Sequence, residues 1–131
     1  MKLLLDTHIW LWALLEPDRL NPAVRAALQS SDNELWLSPI SVWEAVLLAE
    51  RGRLIVEASA LDWVEKMVQA LPRREAALTH EIAIASRQLA LTHHDPADRF
   101  IAATARVLGL TLVTADERLL QSTEFDVLAN R

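Results

Sequence analysis

Four acidic residues stand against apolar sequence, where a carboxylate is costly to place. Asp6 follows the run Lys2–Leu5, and Glu44 lies between Trp43 and the apolar stretch 45–49. Asp98 shortly precedes Phe100 and Ile101, and Asp116 comes just after Thr111–Thr114. A buried charge is unfavourable unless it is paired or coordinates a metal. Hard oxygen donors of this kind suit Mg²⁺ or Mn²⁺. A cluster of them can hold one or two ions, leave room for a phosphate, and serve an in-line phosphoryl displacement. Asp6, Glu44, Asp98 and Asp116 are therefore the candidate metal-binding and catalytic residues.

Each also has a purely structural alternative. Asp6 and Asp116 both precede expected helices, and an Asp cap is worth about 0.5–2 kcal/mol over alanine. Ser41-Val42-Trp43-Glu44 matches the capping box S-x-x-E. The competing start, with Ser38 as cap and Pro39 first in the helix, fits better and leaves Glu44 inside the helix at the border of its buried face. Asp95 before Pro96 reads as an N-cap, which puts Asp98 in the first turn near the positive end of the helix dipole. His93-His94 reads as polar loop rather than as ligands.

Short apolar runs alternate with helical patterns along the whole chain. Strands are expected at Lys2–Leu5, 35–37, Thr111–Thr114 and 125–128. Helices are expected at 7–15, from Asn21-Pro22 onward, from Ser38-Pro39 to Glu50, at 59–71 and 79–89, from Asp95-Pro96 to Gly109, and briefly from Asp116. Strands separated by helices imply an α/β fold with a mostly parallel sheet of four or five strands flanked by helices. In such sheets ligands bind at the carboxyl ends of the strands. Asp6 and Asp116 both follow strands, so both are expected on that edge.

The 131 residues suit one domain spanning 1–131, and the 52% hydrophobic content suits a substantial core. There is no cysteine, so thiolate metal sites and disulfides are excluded. Gly52 and Gly109 are the only glycines, and neither belongs to a phosphate-binding glycine loop. No apolar run reaches the roughly 20 residues of a membrane helix. A soluble, cytoplasmic protein is expected. A net charge of −5 argues against a passive nucleic-acid coat but not against a metal-dependent enzyme acting on nucleic acid.

The pieces "LLLDTHIWLW", "SPISVWEAVLLAERGRL" and "HHDPADRFIAATARVLGLTLVTADERL" together resemble the PIN-domain ribonucleases, and within them the VapC-type toxins of toxin–antitoxin pairs. On that resemblance the acidic set is Asp6, Glu44, Asp98 and Asp116, with Thr7 and Thr114 as polar neighbours. Asp95 and Arg99 take supporting parts, Asp95 capping its helix and Arg99 pairing with a carboxylate. The resemblance implies a PIN-like fold and a Mg²⁺- or Mn²⁺-dependent endoribonuclease leaving 5′-phosphate and 3′-hydroxyl ends. It also implies a homodimer and a cognate VapB-type antitoxin. That antitoxin would place an arginine among the carboxylates and would itself carry the contact with operator DNA.

Trp10 and Trp12 lie two apart on one expected helix and so face different ways, which leaves one of them for a surface. Trp36, Trp43 and Trp63 are core or interface residues, or stack on RNA bases. Arg51, Arg53, Arg73, Arg74 and Arg87 are candidates for phosphate contacts. Two other functions fit the same residues: a DNA-acting metal-dependent nuclease, and a non-catalytic binding module whose carboxylates are all caps or ion-pair partners.

Overall fold

A computed structural model describes residues 1–52, 59–71, 73–92 and 94–131; Arg53 and His93 fall outside them. The elements run β1 (Lys2–Leu5), α1 (Thr7–Leu15), a 3-10 turn (Pro17–Arg19), α2 (Pro22–Gln29), β2 (Glu34–Leu37) and α3 (Pro39–Glu50). There follow α4 (Ala60–Ala70), β3 (Arg74–Glu75), α5 (His80–Gln88), α6 (Pro96–Leu108), β4 (Thr111–Thr114), α7 (Glu117–Leu120) and β5 (Val127–Ala129). The five strands form one sheet in the order β3-β2-β1-β4-β5, and every pairing is parallel. The chain is thus of the expected α/β class.

Central parallel strands are covered on both faces and read as continuous apolar runs. Leu3, Leu4 and Leu5 are fully buried. Side chains alternate across a strand, so Leu3, Leu5 and Val113 pack with Ile9, Trp10, Val24 and Ala45 on one face. Leu4 and Leu112 pack with Ile82, Ile101, Ala102 and Leu119 on the other. Full burial of a side chain such as Ile101 is worth roughly 1.5–3 kcal/mol. Along α6 the buried alanines Ala97, Ala102, Ala103 and Ala105 let the helix lie close to its neighbours.

The caps follow the sequence signals. Ser38 accepts from the Ile40 amide at 3.0 Å, so α3 begins at Pro39 and Glu44 lies within it. Asn21 accepts from the Val24 amide at 2.7 Å. Gly109, at φ 64°, ends α6 in the left-handed conformation, which costs a residue without Cβ little.

Two strands differ from expectation. The last begins at Val127, not 125, because the Leu112 amide reaches the Asp126 carbonyl at 2.8 Å and starts the ladder there. Phe125 instead packs beside the apolar cluster of the second face. β3 is a two-residue strand of exposed, charged residues, Arg74 and Glu75, held at the sheet edge by the Ala76 amide on the Leu37 carbonyl at 2.9 Å. No apolar alternation announces it. Short charged edge strands are a common protection against unwanted pairing.

From β1 the chain moves outward through β2 and β3, then returns to place β4 on β1's other side. The switch point of the sheet therefore lies between the carboxyl ends of β1 and β4, where open α/β sheets bind ligands.

Candidate active site

At that switch point Asp6 follows β1 directly. Its amide donates to the Val113 carbonyl at 3.0 Å, which continues the parallel ladder. One carboxylate oxygen accepts from the Thr7 amide at 2.9 Å, which caps α1. The other accepts from the Thr114 hydroxyl at 2.6 Å. Thr114 Oγ1 also accepts from the Asp116 amide at 3.0 Å. One buried hydroxyl thus ties the end of β1 to the loop after β4.

Glu44 reaches the same place from α3. Thr7 Oγ1 lies 2.5 Å from Glu44 Oε1 and 2.9 Å from Ser41 Oγ. A hydroxyl has a single hydrogen, so Thr7 donates to the carboxylate and accepts from Ser41. Asp98 comes from the first turn of α6, behind the N-cap Asp95, whose side chain accepts from the Ala97 amide at 2.9 Å. Asp116 caps α7 by accepting from the Arg118 amide at 2.9 Å. Its carboxylate also meets the Arg118 guanidinium, with Nη2 3.2 Å from Oδ2 and Nε 3.4 Å from Oδ1.

These residues line one concavity of about 390 Å³, together with Asp95, His8, Trp12, Ala115 and Arg118. Among the described lining residues, five carboxylates face one guanidinium and one imidazole. The imbalance is visible in their proton affinities. Asp98 is pushed up from the ordinary 3.8 to about 7, first by burial and then by Asp6, Asp95, Glu44 and Asp116. Burial also raises Asp6 and Glu44, although hydrogen bonds from Thr114 and Thr7 oppose it. The structural and functional readings of Asp6, Asp95 and Asp116 are compatible. Each is a cap, and each still borders the concavity.

Among the described residues no three acidic or imidazole groups stand close enough to form a ready-made metal cage. The all-oxygen donor set and its excess negative charge nevertheless fit a hard divalent cation. Mg²⁺ keeps several waters and takes one or two protein carboxylates, so it does not require a closed cage. Asp6, Glu44, Asp98 and Asp116 are the residues available to hold it.

Arg99 is held in part by backbone carbonyls. Its Nε donates to the Ser86 carbonyl and its Nη2 to the Leu89 carbonyl, each at 2.8 Å. Buried beneath α6, it closes the carboxyl end of α5 and fixes the helix that carries Asp98. Of the arginines considered for phosphate contact, Arg51 borders an adjoining recess with Trp43 and Glu44. Arg74 pairs with Glu34 at 3.1 Å, and Arg87 is exposed on α5. Arg73 is half-buried, and His94 is exposed. Trp10 is buried while Trp12 borders the site, so the two do face different ways. Trp36 and Trp63 are half-buried, and Trp43 is 54% exposed. Sequence reasoning missed Ser41 and Arg118 as site neighbours. Ser41 lies three residues before Glu44 on the same helix face, and Arg118 lies two residues after Asp116.

The PIN domain family model matches residues 3–125, and the chain belongs to the PIN-domain family. Within it the chain is of the VapC type: it is 37% identical over 117 residues, 88% of each chain, to Ribonuclease VapC22 of Mycobacterium tuberculosis. The fold is also that of DNA-bound VapBC from Salmonella typhimurium, with TM-score 0.73, 20% identity and 98% of each chain covered. VapBC2 from Rickettsia felis, bound to a DNA fragment from the promoter, gives TM-score 0.72 at 15% identity over 98% of each chain. No helix among the described residues is long and apolar enough to cross a membrane.

Proposed function

We propose that this chain is a divalent-metal-dependent endoribonuclease, the toxin of a type II toxin–antitoxin pair. The observation that carries this reading is the convergence of Asp6, Glu44, Asp98 and Asp116, from four separate elements, on one concavity at the switch point of the sheet. The likeness to a ribonuclease of the VapC type supports RNA over DNA as substrate. When bound, Mg²⁺ or Mn²⁺ supplies Lewis acidity for phosphodiester hydrolysis.

The chain's own residues do the rest. Asp6, Asp98, Glu44 and Asp116 provide the negative field that draws the cation in. Thr114 and Thr7 each donate a hydrogen bond to one carboxylate, which fixes the orientation of Asp6 and Glu44 before any ligand arrives. Asp95 and Arg99 hold the start of α6 and so position Asp98. The hydrolysis is expected to leave a 5′-phosphate and a 3′-hydroxyl.

The same reading makes the protein a cytoplasmic homodimer, one PIN domain per chain, neutralised by a VapB-type antitoxin. The toxin–antitoxin complexes among its structural relatives, some with DNA, support an antitoxin partner that also carries the DNA contact. The test is to incubate antitoxin-free protein and its Asp98→Asn variant with total RNA under Mg²⁺, Mn²⁺ or EDTA and to map the cut ends. Discrete cuts that need metal and vanish in the variant are expected. Cutting that persists in EDTA would overturn the proposal. So would a folded wild type that binds metal and leaves all RNA intact.

A further inference from the structure

Arg118 is unusual among the charged groups of the site. Among the described residues it is the one guanidinium that lines the acidic concavity, and it holds both oxygens of Asp116. Its side chain is 56% exposed, against 24% for Asp116, so the cation sits on the solvent side of the carboxylate. The orientation of Asp116 does not depend on that guanidinium. The Arg118 backbone amide separately holds Oδ1 at 2.9 Å.

We propose that Arg118 is a resident counter-ion for Asp116. Its guanidinium covers the carboxylate in the metal-free protein, gives it up to a divalent cation, and then stands at the lip of the concavity to hold an RNA phosphate. This rests on the metal-dependent ribonuclease reading above. The physical basis is competition for one pair of oxygens. A forked guanidinium and a divalent ion compete for them, because each takes lone pairs from the same two oxygens and the two cations repel. An exposed pair tethered over two residues is weak enough to be exchanged. Once released, a long exposed arginine has the reach and geometry for a phosphate. It is also well placed to offset the repulsion between five carboxylates and an incoming anionic strand.

The experiment compares EDTA-stripped wild type, Arg118→Gln and Arg118→Lys by calorimetric titration with Mn²⁺. Circular dichroism confirms the fold of each, which the retained backbone cap of Asp116 should preserve. Removing the competitor should tighten Mn²⁺ binding in Arg118→Gln by about two- to fivefold, the scale of one exposed ion pair. Arg118→Lys should bind nearly as wild type does. At saturating Mn²⁺ the KM for RNA should rise roughly three- to tenfold in Arg118→Gln, the scale of one hydrogen-bonded contact, with kcat little changed. Equal or weaker Mn²⁺ binding in Arg118→Gln overturns the counter-ion role. Tighter Mn²⁺ binding with an unchanged KM overturns the phosphate-holding role. If neither wild type nor variant binds Mn²⁺, this proposal falls together with the metal-dependent reading. Mn²⁺ binding without any RNA cleavage overturns the ribonuclease reading and the phosphate-holding role with it.

Discussion

Replacing Asp98 by Asn should make the metal-free protein more stable, and the gain should depend on pH in a defined direction. The folded carboxyl holds its proton up to about pH 7, whereas the ordinary value is 3.8. Between those values the folded state binds more protons than the unfolded one, so stability falls as pH rises. The cost is absent below about pH 4 and complete above about pH 7. At about 1.4 kcal/mol per tenfold change in proton affinity, the bare difference is about 4 kcal/mol. Asp98 is only half-buried, and solvent screening reduces the figure to about 1–2 kcal/mol. A lost favourable interaction with the α6 dipole, about 0.3–1 kcal/mol, opposes it. The net expectation is a gain of about 1 kcal/mol at pH 7.5 that fades towards pH 4. Urea unfolding in EDTA, followed by tryptophan fluorescence at several pH values, measures it. The ranking should reverse with saturating Mn²⁺, which stabilises the wild type by mass action and the variant much less. A variant less stable than wild type at pH 7.5, or a gain independent of pH, would refute the electrostatic account of the site.

Thr114→Val keeps the shape of the side chain but leaves one oxygen of the buried Asp6 without its donor. It should cost about 1–3 kcal/mol in urea unfolding and weaken Mn²⁺ binding measured on the same samples. Ser38→Ala removes the cap of α3 and should cost about 1 kcal/mol while leaving the cleavage pattern unchanged; altered cut sites would mean that α3 had shifted. In Gly109→Ala the new Cβ meets nothing within 4 Å. Only the left-handed backbone then opposes the change, and a loss of about 1 kcal/mol is expected; a loss of several would reveal a clash. Mn²⁺ at about 100 times its dissociation constant should raise wild-type stability by about 2.7 kcal/mol, and EDTA should reverse the gain.

The order of elements was legible because each carried a strong local signal. Lys2–Leu5 is a run too short for a helix and fully apolar after its first residue. Asn21-Pro22, Ser38-Pro39 and Asp95-Pro96 mark three helix starts by the same chemistry, a side-chain acceptor followed by a residue with no amide hydrogen. β3 was not legible, since Arg74 and Glu75 pair through backbone alone and carry no pattern. The start of β5 lies later than the apolar pattern suggests because Phe125, as apolar as a strand residue, is half-buried at a bend. The four carboxylates could be singled out because each interrupts apolar sequence. Their partners could not. Ser41 and Arg118 are ordinary polar residues on helices, and only the meeting of α1 with α3, or the turn into α7, gives them a function.

The bond between Thr114 and Asp6 joins positions 108 apart in the chain. Strands β1 and β4 are neighbours in the sheet, yet every residue up to β4 must be synthesised before they can pair. A growing polypeptide emerges at about 5–20 residues per second. Throughout that time it carries Asp6 and Glu44 without Asp116, and Asp6 without the hydroxyl that orients it. Until Thr114 and Asp116 have been made, the chain has no assembled acidic centre. The acidic centre is thus completed late in folding, when this long loop closes.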